Sequence, residues 1–366
     1  MRGAERHVEA ARAFTAAERC IGGDRNALLF LATSLKQASM NAEATMAYRK
    51  LLLWHPADAQ GWSLFGVFLK SIGDFTGAIK ALEKSLALRD DAETRNTLVL
   101  SLYLSGRLDD AKAEGQRNLE LKDRTVRGAF KPRPGWELAK SPPPAFDPKA
   151  PGRNVICFSL WGADPVYVHG AIVNARIAPH IYYGWTTRFY CDSSVPADAI
   201  AELREAGAQI VMMLDPVLQA IRPMWRFLAS DDPGVDWFIC RDADSRLNCQ
   251  ELIAVQEWLN SGKRFHVMRD HIYHMELMLA GMWGGAARAL PNLRERLLAD
   301  KTYFGNRFAD QAFLMNEIWP LIRAEVCIHD SYYEIGDSKP FPSAYRLPRP
   351  VHVGGAVKSM PSWRRK

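Results

Sequence analysis

An internal period near the N-terminus constrains the fold more than any other feature of the chain. Ala44 and Ala78 recur at a spacing of about 34 residues, and Ala111 follows one residue short of that. Leu31 and Ala32 precede the first alanine as Phe65 and Gly66 precede the second, and Leu98, Leu102 and Gly106 lead to the third. Apolar residues around a recurring small side chain describe a helical hairpin whose arms approach closely at that residue. Such a hairpin cannot bury its apolar face alone, so neighbouring units must stack. A further helix from about Glu5 to Cys20, ended by Gly22-Gly23, is expected to cap the stack.

Trp62, Phe65, Gly66, Leu69, Ala78 and Leu82 fall on a W-x2-L-G…A-x3-F pattern. On those positions about 100 residues resemble tetratricopeptide repeats. The resemblance implies a concave groove for a peptide, a partner protein or a second subunit; the alternative is that the repeats brace a second domain. Beyond them Lys131-Pro132-Arg133-Pro134-Gly135 and Ser141-Pro142-Pro143-Pro144 exclude helix and central strand. Residues 1–125 are therefore expected to form a helical domain, residues 126–153 a Pro-rich linker or surface strap, and residues 154–366 the second domain.

From Asn154 onward, strand-like and helix-like stretches alternate. Strands are expected at Asn154–Trp161, Thr187–Cys191, Gln209–Leu214, Trp237–Cys240 and Arg264–Met268, with helices at Val166–Ala178, Ala197–Ala206 and Glu251–Leu259. An apolar segment comes next at Leu277–Trp283, then helices near Leu290–Leu298 and Asp310–Ile318. Alternation of this kind predicts a doubly wound, mostly parallel α/β sheet. The Trp237–Cys240 run ends at Arg241-Asp242-Ala243-Asp244, and ligands of open α/β sheets bind beyond the carboxyl ends of strands. Side chains two apart leave a strand on one face, so Asp242 and Asp244 are expected to share a hard cation able to hold a diphosphate.

The bulk numbers bound the function class. A net charge of +6 over 366 residues is mild; it suits anionic small molecules or a membrane surface and does not argue for nucleic acid. No apolar run approaches the ~18 residues that span a bilayer, and residues 1–9 lack the apolar core of a secretory signal. The six cysteines lie far apart without zinc spacing, several in strand-like runs, which predicts reduced, buried thiols and a cytoplasmic location. The tail Ser362-Trp363-Arg364-Arg365-Lys366 offers at most weak contact with anionic lipid.

Six motifs in order make the second domain similar to glycosyltransferases of the A-type nucleotide-diphospho-sugar fold, nearest to family eight, which includes glycogenin and the lipopolysaccharide galactosyltransferases. They are Tyr167-x-x-Gly170-Ala171, Arg226, Asp242-Ala-Asp244, Leu279-Ala280-Gly281, Asp310-Gln311, and His352-x-x-Gly355-x-x-Lys358 with Trp363 a few residues on. The resemblance implies a metal-dependent, retaining hexosyltransferase that takes a UDP-sugar as donor and a protein or glycan as acceptor. Mn²⁺ or Mg²⁺ would sit on Asp242, Asp244 and His352. Lys358 and Arg226 would add positive charge where the diphosphate leaves, and Gly355 would let backbone approach a phosphate. Tyr167 and Gly170 belong to the nucleotide-binding turn, and Asp310 and Gln311 to the donor-sugar hydroxyls. Leu279 replaces the family's Asn, so the sugar cannot be carried over.

Other residues leave alternatives open. Asp270-His271-x-x-His274 reads as a second metal site or, preferably, a polar loop on the acceptor side. His329 competes with His352 as third metal ligand, and His352 is preferred for its Gly and Lys at the family's spacing. The rival functions are a binding scaffold with a degenerate sugar-nucleotide domain and a nucleotidyltransferase, the latter disfavoured by the lack of a glycine-rich loop after the first strand.

Overall fold

The computed structural model of the chain describes residues 2–305 and 308–358. Trp363 and the basic tail at 362–366 lie outside the described residues. The chain divides into two compact units, with the boundary between Leu121 and Lys122. No helix among the described residues is long and apolar enough to cross a membrane.

The first unit is helical: α1 (Arg2–Ile21), α2 (Arg25–Gln37), α3 (Asn41–Trp54), α4 (Ala59–Ser71), α5 (Phe75–Leu88), α6 (Ala92–Leu104) and the first part of α7 (Leu108–Ala129). Asp24, Asp74 and Asp91 cap α2, α5 and α6 by accepting from the backbone N–H of Ala27, Gly77 and Thr94. Ala44, Ala78 and Ala111 are each fully buried, at the close approaches that their spacing predicts. The glycine before the second alanine has the same cause. A Cβ on Gly66 would lie 2.5 Å from Leu82 Cγ, so α4 and α5 touch only because that atom is missing.

The second unit is built on one eight-stranded sheet of order β3-β2-β1-β4-β6-β5-β7-β8. Its strands are β1 (Asn154–Leu160), β2 (Thr186–Cys191), β3 (Gln209–Met212), β4 (Trp237–Cys240), β5 (Phe265–Arg269), β6 (Trp283–Ala286), β7 (Val326–Asp330) and β8 (Lys339–Pro340). Helix α8 (Pro165–Ile181) follows β1, α9 (Ala197–Glu205) follows β2, and α10 (Cys249–Leu259) leads to β5. The sheet is mixed: β6 runs antiparallel to both β4 and β5, between otherwise parallel neighbours. Trp-Gly-Gly-Ala does not read as a strand, and only the apolar run before it is visible in the sequence. The glycines are what admit it, since a Cβ on Gly284 would lie 2.5 Å from Phe238 O. The expected helix near 290–298 is α11 (Leu293–Ala299), and the one at 310–318 is α12 (Ala309–Phe313) continued by a π turn.

The Pro-rich stretch is a strap on this second unit. Arg296 donates to Trp136 O, and its guanidinium lies 4.9 Å above the Trp136 ring. Ala139 N donates to Ala289 O, and Gly184 has no room for a Cβ because Pro148 Cα would meet it at 2.7 Å. The end of α7 belongs here as well. Buried Lys122 donates to Met275 O (2.8 Å) and Glu276 Oε1 (2.7 Å), and buried Asp123 accepts from Trp319 Nε1 (2.8 Å) and Arg323 Nε (3.0 Å). Of the six cysteines, Cys157, Cys191, Cys240 and Cys327 are buried as expected, whereas Cys20 and Cys249 are exposed.

Candidate functional site

The order of the sheet reverses direction at β1 and β4, and the crevice outside the carboxyl ends of such strands is where open α/β sheets hold ligands. A cleft of ≈ 840 Å³ opens there. It is lined by Ser159 to Asp164 at the end of β1 and just after it, Tyr167 of α8, Asp242 to Asp244 after β4 and Leu279 to Met282 before β6, with Asp310 and Gln311 adding polar groups.

Strand β4 ends at Cys240, and the next side chain, Arg241, turns inward to a buried pairing with Glu251. Asp242 and Asp244 therefore do not share a strand face, as their spacing led one to expect; a turn brings both to the cleft. Ser245 holds that turn, its N–H (3.2 Å) and Oγ (2.8 Å) both donating to Asp242 O. Two glycines clamp it from either side. A Cβ on Gly170 would lie 2.0 Å from Ala243 O, and one on Gly281 2.0 Å from Asp242 Oδ2. Gly170, expected at the nucleotide itself, thus lets α8 close on the back of the turn. Gly281 does the same at the front.

Arg226 is buried beneath the cleft and binds three groups: Asp242 Oδ1 (2.6 Å), Asp310 Oδ2 (3.2 Å) and Arg241 O (3.2 Å). One guanidinium thus fixes both carboxylates, and its Nε has no partner among the described residues. Asp242 keeps its side chain 45% exposed, and its Oδ2 has no partner among the described residues. The Asp244 carboxylate has no hydrogen-bond partner beyond its own backbone among the described residues, and burial, then the charge of Asp242, pushes its pKa up. Burial raises Asp310 too, against the pull of Arg226. Gln311 Oε1, at the cleft wall, is a buried acceptor without a partner among the described residues.

The terminal motif reaches the same cleft by a different route from the one expected. Val357 N donates to Asp244 O (2.7 Å), which sets exposed Lys358 beside Asp244, whose carboxylate feels its charge. Gly354, at φ +77° and 2.2 Å from Met282 Sδ if it carried a Cβ, lines the cleft; Gly355 lies against its neighbour His352. His352 donates through Nδ1 to Pro350 O (3.0 Å) and packs its ring 4.2 Å from His271 and 5.1 Å from His274. Asp242, Asp244 and His352 are not gathered into a set: no group of three metal-binding side chains occurs among the described residues. His329 is no substitute, because it is buried and its nitrogens are taken by His266 (2.8 Å) and Glu257 (2.9 Å).

Sequence reasoning gave Asp270 no task apart from its loop. Its buried carboxylate accepts from Val353 N (2.9 Å), Arg349 Nη2 (2.9 Å) and Ser331 Oγ (2.6 Å), and so fastens the segment that carries His352 and Gly354. The sequence signal was a carboxylate directly after an apolar strand, the same signal that marked Asp242.

No family model matches the sequence, and no curated protein does. Among solved structures the chain is similar to a MamA crystal structure (TM-score 0.30, 20% identity, 32% of this chain and 69% of that one). It is also similar to MamA from Desulfovibrio magneticus RS-1 (TM-score 0.31, 16% identity, 33% of this chain and 68% of that one). A Thermobaculum terrenum O-GlcNAc transferase mutant matches at a TM-score of 0.35 and 16% identity, over 66% of this chain and 43% of that one. At these levels none of the three bears on what this chain does.

Proposed function

We propose that the second unit is a glycosyltransferase that moves a sugar from a nucleotide-diphospho-sugar, a UDP-sugar by its resemblance, to a hydroxyl of a protein or glycan acceptor. The observation that carries this is the pair of carboxylates, Asp242 and Asp244, facing a cleft at the sheet's reversal point; Arg226 takes Asp242 Oδ1, and no other described residue takes Asp242 Oδ2 or the Asp244 carboxylate. These residues suit a hard dication: magnesium is commonly held by one or two carboxylates with substrate phosphates and water completing its shell. Bound Mn²⁺ or Mg²⁺ would neutralise the diphosphate charge. His352, with Nδ1 donating to a carbonyl and Nε2 left as acceptor, has the tautomer of a ligating imidazole, but its ring rests on His271.

The chain's own groups have separable tasks. Lys358 places a cation beside Asp244, where leaving diphosphate charge grows. Arg226 is a positioning residue, holding Asp242 and Asp310 at fixed places. Asp310 and Gln311 offer acceptor oxygens to donor-sugar hydroxyls, and Tyr167 with Trp161 gives the mouth two half-exposed rings. Transfer breaks the bond from the anomeric carbon to the phosphate oxygen and forms one to the acceptor oxygen. The acceptor's proton leaves with the departing phosphate oxygen, and a retained configuration is the outcome the resemblance implies. The helical hairpins of the first unit, with buried alanines at their close approaches, fit repeats of the tetratricopeptide kind that recruit the acceptor or a partner protein.

One observation favours a second reading, a scaffold with a degenerate site. Leu279 is apolar and lines the cleft where the resemblance implies an Asn. Turnover separates the two. The full chain with Mn²⁺ and a panel of UDP-sugars should release UDP from at least one, and Lys358→Ala should slow that release by about a hundredfold. Binding across the panel with no release in any case would establish the scaffold.

A further inference from the structure

The loop between β5 and β6 carries a group that has no task in the transferase chemistry so far described. His274 lines the same cleft as Leu279 and Met282. Its Nδ1 accepts from two backbone donors at once, Asp270 N at 3.0 Å and His271 N at 3.2 Å. A proton on Nδ1 would point at two N–H groups, so the ring is held as the tautomer with hydrogen on Nε2. No group among the described residues accepts from Nε2, although the ring meets His271 and His352.

We infer that His274 is a binding residue, a neutral Nε2–H donor aimed at a sugar hydroxyl in the cleft. An uncharged donor discriminates little for phosphate, whose charge the Asp242–Asp244 end and Lys358 would address. A hydroxyl oxygen is the neutral acceptor it fits. The same lock denies it any part as a general base, since its one lone pair is already shared by two amides. The hydroxyl comes from the donor sugar or from a saccharide acceptor. The inference rests on the transferase reading.

The test uses the full chain, His274→Gln, which keeps an amide donor at similar reach, and His274→Phe, which keeps the ring and removes the donor. Long-range ¹H–¹⁵N correlation of the histidine rings at pH 8 should show His274 in the Nε2–H form. An Nδ1–H form would overturn the lock and the inference with it. Affinity for UDP with Mn²⁺ should be alike in all three proteins. His274→Phe should lose about tenfold in UDP-sugar affinity if the donor sugar is the partner. It should instead show about a tenfold higher KM for methyl glycosides as acceptors if the acceptor is the partner. His274→Gln should recover most of either loss. Equal loss for UDP alone, no loss in both sugar arms, or a Gln variant no better than Phe would overturn the inference while leaving the transferase reading standing. If the unsubstituted chain binds none of UDP-glucose, UDP-galactose or UDP-N-acetylglucosamine, the transferase reading itself fails and takes this one with it.

Discussion

In the first unit the ordering contacts are apolar, close in sequence and repeated. In the second they are polar, distant and each made once. Ala44, Ala78 and Ala111 solve one packing problem three times, and Asp24, Asp74 and Asp91 repeat one capping arrangement. Against this stand Arg226 with Asp310, 84 residues apart, Asp270 with Val353, 83 apart, and Lys122 with Met275, 153 apart. Repetition spreads stability over equivalent units, so no one contact decides the fold. Single-copy buried ion pairs concentrate it, because breaking one strands a charge away from water. That concentration is also what a binding cleft needs, since it fixes carboxylates at defined places.

The largest expected effect comes from cutting the second unit at the wrong residue. A chain beginning at Lys122 should unfold cooperatively, whereas one beginning at Lys149 should not. The latter loses the Lys122–Glu276 and Asp123–Arg323 pairs and the strap over Arg296, whose buried guanidinium is left without its Trp136 carbonyl acceptor. Urea denaturation followed by tryptophan fluorescence decides it, and equal midpoints would remove the strap from the folded core.

Gly281→Ala is the next step down. Its new Cβ would meet Asp242 Oδ2 at 2.0 Å, so the carboxylate must shift or Arg226 must release it. We expect about 1–3 kcal/mol lost in stability and at least a tenfold loss in cation-dependent nucleotide affinity. Calorimetry with the variant checks it; full affinity would mean that Asp242 has room to spare.

Gly66→Ala is the matched substitution in the first unit and the smaller one. An alanine in a helix interior normally gains about 1 kcal/mol over glycine. Here the Cβ would lie 2.5 Å from Leu82 Cγ, and the overpacking penalty of about 1–3 kcal/mol should cancel or exceed that gain. Leu82 is a side chain free to repack, whereas the Asp242 carboxylate that meets Gly281 is held by Arg226, so the loss should stay below that of Gly281→Ala. A net stabilisation, read from the far-UV melting curve, would show that the alanine spacing alone sets the approach of α4 and α5.

The contrast also explains what the chain discloses. A spacing of small residues is visible because it recurs, and the buried β4 run is visible because four apolar residues stop at a charged stretch with two carboxylates. Strand β6 stayed hidden, since Trp-Gly-Gly-Ala forms a strand only where neighbouring backbone leaves no space for a Cβ. Among candidate residues, Asp242, Asp244, Arg226, Asp310, Gln311 and Tyr167 do line one cleft. The tasks of Gly170, Gly281 and His274 depend on what touches them in the folded chain, and composition and spacing carry no trace of that.

The central claim, that Asp242 and Asp244 jointly hold a cation for a nucleotide diphosphate, is tested most directly by titrating UDP into the full chain with and without Mn²⁺, then into Asp242→Asn and Asp244→Asn. Binding should require Mn²⁺ and fall at least tenfold in each variant, with far-UV spectra unchanged. UDP affinity that is indifferent to Mn²⁺, or retained in both variants, would contradict it.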